Sequence, residues 1–96
     1  MIYNILISSA AFEDIKEARN WYEEHRLGLS FDFDLCLEGG YEDIRKNPTN
    51  YQIKFKNIRV KYISRFPFGI HYFIEGDVVY VVGVFHTSKS PKRWRL

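Results

Sequence analysis

Two histidines, His71 and His86, share the second half of the chain with a dense set of cations: Arg59, Lys61, Arg65, Lys89, Lys92 and Arg93. Together they are the material for metal-free cleavage of a phosphodiester. That reaction needs a base for the 2′-hydroxyl, an acid for the leaving oxygen, and cations for the pentacoordinate phosphate. Imidazole ionises near neutrality and suits the proton shuttle. Position separates the two histidines. His71 alternates with Ile70 and Tyr72 inside an apolar run, where packing or a hydrogen bond within a strand competes with catalysis. His86 stands where the run through Val84 and Phe85 ends, a place open to chemistry or to a capping role.

Other chemistries lack their residues. The three histidines and Cys36 show no paired ligand spacing, so neither a metal nor a cofactor is expected. No Gly-rich phosphate loop precedes a helix. Ser88 and Ser90 have no evident His–Asp company for nucleophilic catalysis. Cys36 reads as a small apolar side chain in a helix.

Charge gives a second kind of site. Residues 1–50 carry five basic and ten acidic side chains, whereas residues 51–96 carry nine basic and two acidic ones. Such a basic half either faces an anionic partner, nucleic acid or an acidic polypeptide, or is a solvated sheet face. The densest basic-aromatic element is Lys89-Ser90-Pro91-Lys92-Arg93-Trp94-Arg95. It reads as a contact for such a partner or as a terminal segment with its indole tucked onto the sheet.

These groups need a scaffold, and the hydrophobic periodicity supplies one. Tyr3 to Ser8 reads as a strand buried on both faces. Ser8 and Ser9 offer an N-cap, with Glu13 and Asp14 in or near the first turn. Ala11, Ile15, Ala18 and Tyr22 form one face of the helix, and Gly28 stops it. Trp21 lies off that apolar stripe, either as an exposed anchor or as additional core. A second helix runs from about Leu29 to Lys46, with Phe33, Leu37, Tyr41 and Ile44 inward, Ser30 near its start and Asn47-Pro48 at its end. Gly39-Gly40 within it suggests close packing against the first helix, or a hinge.

From Tyr51 the period changes to two. Ile58 to Ile63 alternates apolar residues with Arg59 and Lys61, a strand with one basic face. Phe68 to Ile74 and Val78 to Phe85 follow, joined by a turn at Glu75-Gly76-Asp77. The order is β-α-α-β-β-β with a basic tail. The class is α+β, with the N-terminal strand and a helical hairpin packed on one face of a mostly antiparallel twisted sheet.

Ninety-six residues, 18% of them aromatic, suit a single domain spanning 1–96 with a modest core. A lone cysteine precludes an internal disulfide and points to a reducing compartment. The N-terminus lacks the basic region of a signal peptide, and no apolar run approaches the ~20 residues that span a bilayer, so a cytoplasmic protein is expected.

Five segments in order carry a resemblance. They are Phe12-Glu13-Asp14-Ile15-Lys16-Glu17-Ala18-Arg19-Asn20-Trp21-Tyr22; Leu27-Gly28-Leu29 with Phe31 or Phe33; Asn47-Pro48 with Tyr51; Arg65-Phe66-Pro67-Phe68-Gly69-Ile70-His71-Tyr72; and Val84-Phe85-His86 followed by Pro91 and Trp94. In this order they resemble the RelE/ParE superfamily of type II toxin–antitoxin systems, closer to its ParE or plasmid-stabilisation branch. The resemblance implies a toxin held inactive by a cognate protein antitoxin, in a toxin–antitoxin hetero-oligomer. ParE-like members bind DNA gyrase and catalyse nothing themselves; RelE-like members cut mRNA in the ribosome without a metal. A non-toxic, antitoxin-binding member is a third reading. On the nuclease reading the catalytic candidates are His86, Arg59, Arg65 and His71. The target- or antitoxin-binding candidates are Lys61, Lys89, Lys92, Arg93, Trp94, Arg95 and Trp21. RelE-like nucleases place a Tyr at the C-terminus, where this chain has Trp94-Arg95-Leu96, and indole is neither acid nor base.

Overall fold

The computed structural model describes residues 2–88. The first strand, β1 (Asn4–Ile7), passes directly into α1 (Ser9–His25). The junction is made by Ser8, which is extended and accepts a hydrogen bond from the Ala11 amide through its hydroxyl at 3.0 Å. This N-cap satisfies one of the amides that a helix start leaves without a partner. No acidic residue lies in the first turn. Asp14, read from sequence as in or near that turn, lies just beyond it and accepts a hydrogen bond from the Val84 amide at 3.0 Å, tying the helix to the last strand.

The helical hairpin turns through Arg26, Leu27 and Gly28. Arg26, rather than Gly28, caps α1; Gly28 has φ +86° and begins α2 (Leu29–Lys46). The Glu23 carboxylate accepts hydrogen bonds from the amides of Gly28 and Ser30 and from the Ser30 hydroxyl. These bonds hold its pKa below the ordinary carboxylate value. A side chain of the first helix thus caps the start of the second. Gly39 and Gly40 divide the two roles weighed for them. A methyl group on Gly40 would lie 2.8 Å from Ile70 Cδ1 and 3.1 Å from Ile63 Cγ2, whereas one on Gly39 would meet nothing. The close approach at Gly40 is therefore to the sheet and not to α1.

A 3-10 turn (Pro48–Asn50) leads to β2 (Ile53–Phe55), β3 (Ile58–Tyr62), β4 (Phe68–Glu75) and β5 (Val78–His86). The spatial order is β1-β5-β4-β3-β2, antiparallel except for β1 beside β5. The expected α+β class and helix–strand order hold, with β2 added. β2 escaped the periodicity argument because three residues show less than two periods of alternation. The first strand is not buried on both faces. It lies at the sheet edge with exposure alternating along it, and Leu6 is exposed.

Both helices cover one sheet face. Ala11, Ala18, Phe33, Leu37 and Ile44 pack on Ile70 and Tyr72 of β4 and on Val79, Val81 and Val84 of β5. At one end, Tyr22, Phe33, Phe66 and Phe68 form an aromatic cluster with centroids 4.9–6.1 Å apart. The pairing of β4 with β5 shifts by one residue between His71 and Tyr72, so Val82 is an extra residue in β5. This bulge keeps Val81 and Val84 on the same, helix-facing side although they are three residues apart.

Candidate functional site

Beyond Val81, β5 continues past the end of β1, whose last pair is Ile7 with Val81. There, the second half of α1 overhangs β5 and leaves a cleft of about 580 Å³. Asp14, Glu17 and Trp21 line one wall; Phe68 and His86 lie across from them. Helical spacing explains the first group, since residues three and four apart share a face. Trp21 is 55% exposed and stacks on His25, with ring centroids 3.7 Å apart. The Trp21 carbonyl fixes that imidazole by accepting a hydrogen bond from Nδ1 at 2.7 Å. Of the two readings weighed for Trp21, the exposed position is the one observed. Tyr22, beside it, is part of the aromatic cluster, and burial raises its phenol pKa.

His86 lines the cleft from the end of β5. Its ring packs edge-on against Phe68 at 5.2 Å. Its Nδ1 accepts a hydrogen bond from the Ser88 amide at 3.1 Å and lies 2.8 Å from the Ser88 hydroxyl. An amide can only donate, so in the neutral ring the proton is on Nε2. The wall opposite it, with Asp14 and Glu17, is acidic, and the floor is aromatic. This combination accommodates a polypeptide segment bearing apolar and cationic side chains better than it does a phosphate.

The remaining candidates are dispersed. His71 is buried on the sheet face away from the helices, whereas His86 pairs with Phe68 on the helix side. The sheet therefore stands between the two imidazoles. His71 Nδ1 donates to the Gly69 carbonyl at 3.1 Å, and its ring meets Phe85 edge-on at 4.8 Å. Arg59 projects to the helix side, where its guanidinium donates to the carbonyls of Tyr51 at 2.8 Å and Thr49 at 3.2 Å. Through β4, Arg59 aligns with Val81, five residues from His86, which is about 16 Å at strand rise. Lys61 also turns inward, 3.5 Å from Asp43 and over the Tyr51 ring. Arg65, at φ +69° in the β3–β4 turn, lies 3.8 Å from Asp32 and over the Phe66 ring. The basic face of β3 thus holds α2 and its exit, an arrangement invisible to a period-two pattern. Lys89, Lys92, Arg93, Trp94 and Arg95 lie outside the described residues. Among the described residues there is no cluster of three potential metal ligands, and no helix is long and apolar enough to cross a membrane.

Sequence reasoning missed Asp14, Glu17 and Phe68 as cleft residues. The spacing of Asp14, Glu17 and Trp21 was the available signal, but it reads as an ordinary solvated helix face until β5 is placed beneath it.

No family model and no curated protein matches the sequence. The fold does have a counterpart among solved structures. A chain of the chromosomal ParDE TA system from P. aeruginosa superposes with a TM-score of 0.75, covering 88% of this chain and 96% of that one at 10% identity. At that identity the likeness is one of fold, and it is the fold that the sequence resemblance implied.

Proposed function

We propose that the protein is the toxin of a toxin–antitoxin pair, ParE-like, acting by binding a macromolecular target in the cytoplasm and neutralised by a protein antitoxin. The observation that carries this reading is the shared fold with a chain of a ParDE system over 88% of the present chain. The five sequence segments that resemble the RelE/ParE superfamily support it independently.

The favoured target is DNA gyrase. A ribosome-dependent nuclease needs its acid, base and cations within reach of one phosphate. Here Arg59 and Lys61 face inward against α2 and its exit, and the two histidines lie on opposite faces of the sheet. Binding is the simpler role for what remains. The cleft offers an exposed indole with acidic neighbours to the antitoxin, and the basic tail from Lys89 to Arg95 offers cations to the target or the antitoxin.

The test is a DNA supercoiling assay with purified gyrase. The protein should inhibit supercoiling and accumulate enzyme-linked cleaved DNA. Equimolar cognate antitoxin, encoded beside the toxin, should restore activity. Full supercoiling at a large excess of toxin, together with specific cutting of mRNA on translating ribosomes, would replace gyrase with the nuclease reading.

A further inference from the structure

The helical hairpin turns a row of apolar side chains to solvent. Leu27, in the turn, is 91% exposed; Phe31 and Leu35 of α2 are 63% and 56% exposed. Successive members lie four residues apart, so Phe31 and Leu35 stand one turn apart on the face opposite the buried Phe33, Leu37 and Ile44. Gly39 takes the next place in the row. It is exposed and has open space where a side chain would begin. The row thus runs from a protruding Phe31, through Leu35, to a gap. No residue of α2 lines the cleft beside Trp21, so this face is separate from it.

Both signs of charge flank the row. Arg26 precedes it with a side chain 67% exposed, and Glu42 follows it with one 52% exposed. Their ion pairs within the chain are long, 3.8 Å to Asp32 and 3.7 Å to Arg45. A partner of one dominant sign would meet like charge at one end. A second copy avoids this. Turned end for end about a twofold axis at Leu35, it brings its own Glu42 toward Arg26 and its own Gly39 beneath Phe31. The N-terminus of each α2 then approaches Glu38 and Glu42 of the other, which the helix dipole favours. The parallel arrangement would set Phe31 against Phe31 and leave a void between the two Gly39 positions.

We propose that the outer face of α2 binds a second copy of this chain, antiparallel about Leu35, with each Phe31 ring seated on Gly39 of the other copy. The rows spaced by four interdigitate, with the helix axes crossing at about 50°. Three apolar side chains and their charged flanks on each copy bury a total on the order of 1,200 Å², the lower end for a specific pair. Such a pair forms at high micromolar concentration and dissociates on dilution. The inference rests on the hairpin surface and not on the toxin reading. Pairing there leaves the clefts beside Trp21 open, so a dimer presents two of them.

Sedimentation velocity of the full-length protein from ~5 to ~200 μM tests the proposal, with a rise from monomer to dimer mass expected across that range. Phe31→Ser and Gly39→Leu should each hold the protein monomeric at the top of the range, with native circular dichroism. The first removes the ring and the second fills its seat. Leu35→Cys, in a Cys36→Ser background, should form a disulfide-linked dimer on mild oxidation, whereas Glu24→Cys, far from the axis, should not. The proposal is overturned if the parent stays monomeric at ~200 μM, or if both monomer-directed variants pair as the parent does. It is also overturned if Glu24→Cys cross-links as readily as Leu35→Cys. A monomeric parent whose Phe31→Ser variant loses affinity for the antitoxin would assign the row to the antitoxin instead.

Discussion

Replacing Arg59 with Ala distinguishes a structural cation from a catalytic one. The guanidinium donates to the Tyr51 carbonyl at 2.8 Å in a half-buried setting and to the Thr49 carbonyl at 3.2 Å near the surface. A hydrogen bond to a charged group contributes about 1.5–3 kcal/mol, and partial exposure lowers the longer one. The loss should therefore be about 2 kcal/mol in total. In a domain of this size, 1 kcal/mol corresponds to roughly 4–8 °C in Tm, so a fall of about 8–16 °C is expected. Circular dichroism melting measures it directly, and urea unfolding should show a lower midpoint at unchanged slope. Both bonds leave one nitrogen, Nη1, so Arg59→Lys, whose ammonium can also donate more than once, should recover part of the loss. If Arg59→Ala melts within 2 °C of the parent yet abolishes the cellular effect, the structural assignment is refuted and the guanidinium acts on a ligand.

Gly39→Ala should stabilise the protein by up to about 1 kcal/mol, since the methyl meets open space and Ala favours the helix. Gly40→Ala should be neutral to destabilising by about 2 kcal/mol, because that helical gain is offset by overpacking against Ile63 and Ile70; parallel urea titrations separate the pair. Tyr72 donates to the Pro48 carbonyl, and its phenol is pushed up to about 12, mainly by burial, against a partial lowering by Arg59. A folded-state value above the unfolded one means that this contribution is present below pH 10 and lost as pH rises toward 12, so alkaline unfolding should begin in that window. Glu23 works in the opposite direction: its lowered pKa gives stability above the ordinary value of 4.5 that disappears as pH falls below it, and Glu23→Gln should flatten that acid limb. Trp21→Ala should weaken antitoxin binding by about tenfold or more in calorimetry, with Tm nearly unchanged because the indole is half exposed.

Both helices were legible because seventeen and eighteen residues each show several turns of period. The three long strands were legible for the same reason. β2 was not, having only three residues. Ser8 as a cap rests on a local side-chain rule and was readable; Glu23 reaching across the hairpin to Gly28 and Ser30 was not, because it depends on how two helices meet. The site was harder still. Alternation marks Arg59 and Lys61 as sharing a face but cannot say which face the helices cover, and they cover the basic one. The cleft depends on β1 stopping at Ile7 while β5 continues to His86, a difference in strand length that only the assembled sheet displays.

The toxin account is tested most directly by pulse labelling of DNA and protein synthesis in bacteria just after this chain alone is induced. The account predicts an early halt in DNA synthesis while translation continues, reversed when the antitoxin is co-expressed. An early halt in translation with DNA synthesis continuing, or normal synthesis of both at confirmed expression, would contradict it.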